Sequence, residues 1–142
     1  MLASVLRGAG DFGPLCIRIA LGAIFIFHGA QKLFGVWGGR GLDGAADVAR
    51  AVGFAPAYAW GVALALTEFG GGVLVLIGLF TRYAALGIAV EMAVAILRVH
   101  LGRPFPVTEG GMEFALMNFA AALSLVFTGG RTGSIDRAAR RD

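Results

Sequence analysis

Three apolar stretches of this chain carry ionisable side chains of the kinds that bind small molecules and exchange protons. The first contains His28, Gln31 and Lys32 within five residues, the second contains Glu68 and the third contains Glu91. Imidazoles and carboxylates exchange protons, while amide and ammonium groups donate hydrogen bonds to a carbonyl oxygen. In apolar surroundings, this combination is typical of a site for a carbonyl-bearing redox carrier such as a quinone.

We therefore predict catalytic, proton-exchanging roles for His28, Glu68 and Glu91. We predict a quinone-binding set that consists of donors and an aromatic wall, namely His28, Gln31, Lys32, Phe25 and Phe69. A structural role stays open for the two glutamates, because buried charges also pair to fix helix register.

Structural ion pairs are the role that we assign to the remaining charged residues of these stretches. Arg18, Arg98 and Glu113 belong to this group. Three cations and three carboxylates lie within the apolar stretches, and unpaired charge in a low dielectric is costly. The pairs that we expect are Arg18 with Glu68, and Lys32 and Arg98 with Glu113.

The elements that carry these residues read as membrane helices. Of 142 residues, 58% are hydrophobic and 15% are charged, against about 45–50% and 25% in soluble domains. The apolar stretches approach the 20 or so residues that cross a bilayer. We predict an all-α fold, an integral membrane four-helix bundle that forms a single domain over residues 1–142. Its spans cover about 13–35, 58–80, 83–100 and 112–127, with an interfacial helix at 42–53.

The polar residues repeat at helical spacing together with small residues. Gly61, Ala65, Glu68 and Gly72 form such a stripe on the second span, and Glu91 belongs to a similar stripe on the third. Small residues line helix contacts in membranes, so the charges should point into the bundle. The same small-residue faces favour a homo-oligomer.

Arginine positions predict the orientation in the membrane. Four spans put both termini on one side, together with Arg7, Arg82 and the four arginines after residue 128. The positive-inside rule makes that side the cytoplasm. A cleaved signal peptide is the alternative for the N-terminus, but Arg18 interrupts the apolar run and no A-x-A site follows it, so we expect no cleavage.

Several kinds of site and partner do not fit the sequence. Cys16 is the single cysteine, so neither an intrachain disulfide nor a CxxC dithiol can form. A haem held by His28 and His100 is an alternative, but their depths differ by about 10 Å at a rise of 1.5 Å per residue. We expect neither haem nor metal. The arginines lie at segment ends, which favours the lipid bilayer over nucleic acid as the partner.

Three segments carry a resemblance to a known family. HGAQKLFG, EFGGGVLVLIGLFTR and GGMEFALMNFAAALSLVFTGGRTGSID resemble the DoxX family of small bacterial membrane proteins. This resemblance implies a four-helix oxidoreductase of the bacterial plasma (inner) membrane, in a family with a member in a thiosulfate:quinone oxidoreductase. Other relatives are linked to superoxide dismutase and a thiosulfate sulfurtransferase. It therefore implies a role in sulfur-compound oxidation or oxidative-stress defence, with soluble redox enzymes as partners.

The family motifs fall on residues already singled out, but they assign no chemical roles. The matching positions are His28, Gly29, Gln31, Lys32, Glu68, Gly70, Gly71, Gly72, Arg82 and Glu113. Three hypotheses remain open. The chain is a quinone-linked oxidoreductase subunit, a non-catalytic membrane anchor for soluble redox enzymes, or a pathway for a small solute or protons.

Overall fold

The computed structural model describes residues 10–140, which form helices and loops without any strand. The all-α fold class is therefore confirmed. We number the helices α1 (Gly13–Phe34), α2 (Gly41–Ala51), α3 (Ala57–Ile77), α4 (Thr81–Ala95), α5 (Glu113–Thr128) and α6 (Ile135–Ala138). Short 3-10 helices cover Gly10–Phe12 and Val107–Glu109, and a π-helix, Ile96–His100, extends α4.

Three of these elements are long and apolar enough to cross a membrane. They are Gly10–Phe34, Ala57–Ile77 and Thr81–His100, whereas α5 is apolar but shorter, at 16 residues. The orientation of the termini relative to the cytoplasm stays a prediction. Two of the arginines used for it, Arg7 and Arg141, lie outside the described residues.

The closest helix packing joins α1 to α3, because glycines remove side chains from the contact. A Cβ atom on Gly29 would lie 2.5 Å from the Phe69 Cα, and one on Gly72 would lie 2.7 Å from the Ile26 nitrogen. The two backbones therefore touch. Small residues commonly allow such approach between membrane helices.

Aliphatic and small side chains form the core where α1 and α3 meet α4 and α5. Its buried members are Leu21, Phe25, Val75, Ala85, Ile88, Ala89, Ala122 and Leu125. This core occupies the half of the bundle nearer the α3–α4 turn. We call that half the terminal end, because Gly10 and Arg140 lie there, and the opposite end the loop end.

Arg18 ties the terminal end together, and the predicted pair with Glu68 was wrong. Its guanidinium is buried and donates to the carbonyls of Val75 and Leu76 at 2.9 and 2.8 Å. It also donates to three carbonyls of the segment after α5: Gly130, Thr132 and Gly133. The last carbonyls of a helix have no partner within it, so a five-donor arginine suits this position better than a lysine would.

Asp136 caps α4 from the far end of the sequence. Its carboxylate accepts from the Phe80 and Thr81 backbone N–H groups at 2.9 and 2.8 Å, and from the Thr81 hydroxyl. A carboxylate at a helix N-terminus satisfies free N–H groups and complements the helix dipole. The GLFTR and GGRTGSID motifs therefore meet at one structural junction.

At the loop end, α2 packs against the first turns of α3. Gly61 makes this possible, since a Cβ atom there would lie 2.5 Å from the Ala46 nitrogen. On the exposed side of α2, Asp47 accepts hydrogen bonds from Arg40 and Arg50, each at 2.6 Å. These bonds hold the pKa of Asp47 below its ordinary value, and the bond from Arg40 has the larger effect.

The predicted pairs of Lys32 and Arg98 with Glu113 were also wrong. Arg98 is exposed and makes no ion pair with any residue of 10–140. Glu113 is exposed at the start of α5 and accepts the Val107 N–H at 2.9 Å. The loop before α5 folds back over the start of that helix. A backbone N–H of the loop therefore bonds the Glu113 carboxylate, for which we had predicted a lysine or arginine partner. Lys32 bonds to a different carboxylate.

Candidate functional site

A buried ion pair between α1 and α3 lies at the centre of the candidate site. The Lys32 ammonium lies 2.8 and 2.6 Å from the two carboxylate oxygens of Glu68. The glutamate side chain is 7% exposed and the lysine side chain 24%. The contact follows from the glycine crossing, since Gly29 lies against Glu68 and Phe69, and Lys32 is almost one turn further along α1.

Glu91 of α4 brings a second carboxyl to this pair. It interacts with both Glu68 and Lys32, and its Oε2 atom is buried without a hydrogen-bond partner in residues 10–140. Glu68 and Glu91 lie at one level because they are nine and ten residues from the α3–α4 turn. One ammonium and two carboxyls are electrically neutral only when one carboxyl holds a proton. Because burying net charge is costly, the cluster is suited to hold one exchangeable proton.

A large apolar cavity opens beside this cluster. It has a volume of about 760 Å³ and lies between α3 and α4, with α2 across the loop end. We call it the cleft. Lys32, Glu68 and Glu91 supply its charged groups, and most other lining side chains are aliphatic or aromatic. Ligand cavities usually have this composition, apolar walls with a few polar groups, and volumes of about 300–1,000 Å³.

The cleft walls are open on the outside of the bundle. Trp60 of α3 is 48% exposed, and Leu86 and Val90 of α4 are 48% and 57% exposed. The third-span stripe predicted from the sequence leads into this space, because Gly87, Glu91 and Ala95 all line it. A Cβ atom on Gly87 would lie 3.5 Å from Thr67 Cγ2, an ordinary contact, so the packing would tolerate alanine at this position.

A second cavity lies on the other side of the Lys32–Glu68 pair. It has a volume of about 230 Å³ and lies below the loop that precedes α5. We call it the loop cavity. Its polar side chains are Lys32, Glu68, His28, His100 and Asn118. The ion pair lines both cavities and therefore separates them.

Both histidines of the loop cavity are held through Nδ1. His28 Nδ1 lies 3.2 Å from Gln31 Oε1, and Gln31 Nε2 donates to the Trp37 carbonyl at 3.0 Å, which fixes the amide orientation. His100 Nδ1 lies 2.7 Å from the Gly110 carbonyl. Both acceptors require a proton on Nδ1, so the neutral rings keep a lone pair on Nε2.

The structure separates the residues that we predicted to bind one ligand. Only Lys32 of that set lines the cleft, together with Glu68 and Glu91. His28, Phe25 and again Lys32 line the loop cavity, while Gln31 and Phe69 line neither. The reason is that α1 lies between α3 and α5. The His28 ring is 6.3 Å from that of Phe114 on α5, whereas Phe69 packs on Phe34 at 5.2 Å.

Sequence reasoning missed the walls of the cleft and one polar group. Val48, Val52 and Phe54, from α2 and the segment after it, and Tyr83 from α4 line the cleft. A signal existed for Tyr83, since residues 83, 87, 90 and 94 recur at helical spacing on the glutamate side of α4. Asn118 is buried with its Nδ2 unpartnered among the described residues, and its helical spacing with Ala115 and Ala122 was a signal for this buried face.

The structure brings His28 and His100, the two ligands of the haem alternative, to one cavity, whereas the sequence placed them at different depths. Both line the loop cavity, whose volume of about 230 Å³ is below the usual range for ligand cavities. Each Nδ1 is bonded to an oxygen, so Nε2 is the ring nitrogen that each histidine has left for a further contact. Within residues 10–140, no group of three or more His, Cys, Asp or Glu side chains is placed to hold a metal ion.

Long apolar helices with a buried charged cluster define a multi-pass membrane protein that contacts lipid. Residues 13–101 match the DoxX family, and the chain belongs to that family. The match covers α1 through the π-helix, so both glutamates and Lys32 lie inside it and α5 lies beyond it.

Two curated proteins are similar along most of their length. The chain is 31% identical over 126 residues to a Bacillus subtilis protein named "Putative oxidoreductase CatD", covering 89% of this chain and 86% of that protein. It is 34% identical over 128 residues to an uncharacterized protein of Haemophilus influenzae, covering 84% and 85%. No solved structure matches the chain.

Proposed function

We propose that this protein is a quinone-binding oxidoreductase subunit of the bacterial plasma membrane, and that the quinone enters the cleft between α3 and α4 from the bilayer. The observation that carries the proposal is the Lys32–Glu68–Glu91 cluster at the base of a cleft of about 760 Å³. Its exposed apolar walls give a lipophilic ring and tail access from lipid.

The chemistry assigned to the chain is proton exchange and orientation. A quinone that gains two electrons also takes up two protons to become a quinol. The electrons come from a soluble redox enzyme docked at the membrane, whose reduced substrate, such as a sulfur compound, loses two electrons. Lys32 donates a hydrogen bond to one oxygen of the quinone ring, and Glu91 exchanges a proton with the same oxygen. Glu68 fixes the position of Lys32.

The similarity to "Putative oxidoreductase CatD" supports the redox class. The cleft favours a bound carrier over the anchor hypothesis, because an anchor needs neither a cavity nor a buried carboxyl oxygen without a hydrogen-bond partner at its base. The proposal also gives Glu91 Oε2 a partner, which the described residues do not provide.

Quinone titration of the purified protein tests this proposal. The chain has two tryptophans, of which Trp60 lines the cleft, whereas Trp37 stacks on Phe27 at 5.1 Å. A Trp37→Phe variant therefore leaves one fluorescent reporter in the cleft. We expect decylubiquinone or a short-chain menaquinone to quench Trp60 saturably in nanodiscs.

Glu91→Leu should weaken this binding by about threefold to tenfold, which corresponds to loss of one hydrogen bond of about 0.5–1.5 kcal/mol. The apolar replacement removes a buried unpartnered carboxyl, so the fold should tolerate it. Glu109→Leu, in the exposed loop, is the matched control and should leave the affinity unchanged. Quenching that never saturates, or that is equal in all variants, would contradict the proposal.

A further inference from the structure

The loop cavity gives the proton of the Lys32–Glu68–Glu91 cluster a separate way out. We infer that the loop cavity holds water and conducts protons between the loop end and this cluster, with His28 passing protons and Asn118 holding water in place. The inference rests on the proposed function, because it supplies the protons that quinone chemistry consumes or releases. It adds a second site on the opposite side of the ion pair.

Volume and polarity favour water in this cavity. At about 30 Å³ per molecule in the liquid, about 230 Å³ accommodates about seven waters. A stable buried water needs two to four polar partners, whereas purely apolar cavities stay dry. The loop cavity offers the Asn118 amide, two imidazoles and the Lys32–Glu68 pair, so it meets that requirement.

The unpartnered amide of Asn118 is independent evidence for an occupant. Asn118 is 4% exposed, lines the loop cavity, and has no acceptor for Nδ2 among residues 10–140. A buried donor without an acceptor costs about 1–3 kcal/mol. A water oxygen would accept this hydrogen bond and remove the cost.

The histidines give the cavity groups that can pass protons on. His28 and His100 both line it, and each has Nδ1 bonded to an oxygen and a lone pair on Nε2. An imidazole in this state can accept a proton at Nε2 from water and return it. His100 lies under the exposed loop, and the Lys32–Glu68 pair forms the wall of the loop cavity that faces the cleft. The polar groups of the cavity therefore connect the exposed loop to the ion pair.

The cavity does not continue as a route across the bundle. Towards the terminal end, the space is filled by core residues such as Leu21, Ala122 and Leu125, each at most 2% exposed. Within the loop cavity, protons that enter at the loop end therefore reach the cluster but go no further towards the terminal end. The loop cavity by itself therefore provides proton exchange with the loop end only.

Water access can be measured without any quinone. In a Cys16→Ser background, Asn118→Cys should react with a water-soluble methanethiosulfonate in nanodiscs. Ala122→Cys lies about one turn further along α5 in the core and should not react, while Glu109→Cys should react fully. Protection of Asn118→Cys equal to that of Ala122→Cys would overturn the inference.

Proton exchange is measured by infrared spectroscopy in D₂O. The carbonyl stretching band of the protonated carboxyl is assigned by its loss in Glu91→Gln or Glu68→Gln. In the protein without these substitutions, exchange of this proton for deuterium should shift the band within the mixing time. Glu109→Leu should leave that shift unchanged, whereas His28→Phe should slow it by at least about tenfold. An unchanged exchange rate would overturn the role of His28. Fast, His28-dependent exchange in protein that binds no quinone would support the route and refute the proposed function.

Discussion

Lys32 and Glu68 define the site because each neutralises the other where neither would be stable alone. Removing one partner of a buried pair leaves an uncompensated charge, which costs more than replacing both. The Lys32 side chain is 24% exposed, so water partly screens the charge of the pair. The pair is therefore a positioning device with a moderate energetic weight.

This asymmetry predicts the behaviour of a double mutant. Lys32→Met should lower the free energy of unfolding by about 2 kcal/mol, and Lys32→Met with Glu68→Gln should restore most of it. The measurement is thermal or denaturant unfolding in detergent micelles. The exposed pair Arg50–Asp47 is the control, where Arg50→Met should leave the stability unchanged because solvent screens the pair. A double mutant as unstable as the single mutant would contradict this account of the pair.

At the residue scale, the sequence predicted burial better than partners. Helical spacing placed Glu68 on a small-residue stripe, and that stripe is buried. It could not predict that Lys32 would bond Glu68, because the partner depends on the level at which α1 and α3 cross. Arg18 was likewise assigned a carboxylate, whereas five backbone carbonyls accept its hydrogen bonds.

The glycines of α1 and α3 set that crossing, and they are not equivalent. A Cβ atom on Gly29 would collide with the backbone of Phe69, whereas one on Gly70 would meet nothing within 4 Å. Within the GGG run, the packing therefore requires glycine at Gly72 but not at Gly70. Sequence spacing alone does not distinguish them.

Alanine substitution should separate the two classes of glycine. Gly29→Ala should destabilise the protein by about 3 kcal/mol or more, since backbone and not a flexible side chain must shift. Gly70→Ala, on the neighbouring helix, should be neutral or stabilising by up to about 1 kcal/mol. Melting temperatures in detergent give the comparison, and similar losses in both variants would refute the close crossing.

At the element scale, the apolar runs predicted the helices closely because length and hydropathy determine them. The run over 58–80 corresponds to α3 at Ala57–Ile77, and the short helix expected at 42–53 corresponds to α2 at Gly41–Ala51. The π-helix at Ile96–His100 and the capping of α4 by Asp136 were not predicted. Both depend on contacts with segments distant in sequence or on local hydrogen-bond geometry.

For the whole molecule, the described residues at the two termini lie together. Asp11 and Arg137 form an ion pair at 3.1 Å. The arginine distribution predicts that this end faces the cytoplasm. The loop cavity would then exchange protons with the opposite side of the membrane, which links the orientation to the direction of proton movement.

Cysteine labelling in intact cells tests the orientation. In the Cys16→Ser background, Glu109→Cys should react with a membrane-impermeant maleimide before permeabilisation. Arg140→Cys should react only afterwards. Both positions are exposed in the structure, so accessibility in the folded chain is matched. The reverse pattern would place the loop end in the cytoplasm.

The most direct test of the central claim is to photolabel the protein in nanodiscs with an azidoquinone and map the adducts by mass spectrometry. We expect adducts on the cleft walls, in residues 60–67 of α3 and 83–94 of α4, and competition by decylubiquinone. Glu91→Leu should reduce the labelling. Adducts confined to the outer faces of α1 or α5, or labelling that decylubiquinone does not compete, would contradict a quinone site in the cleft.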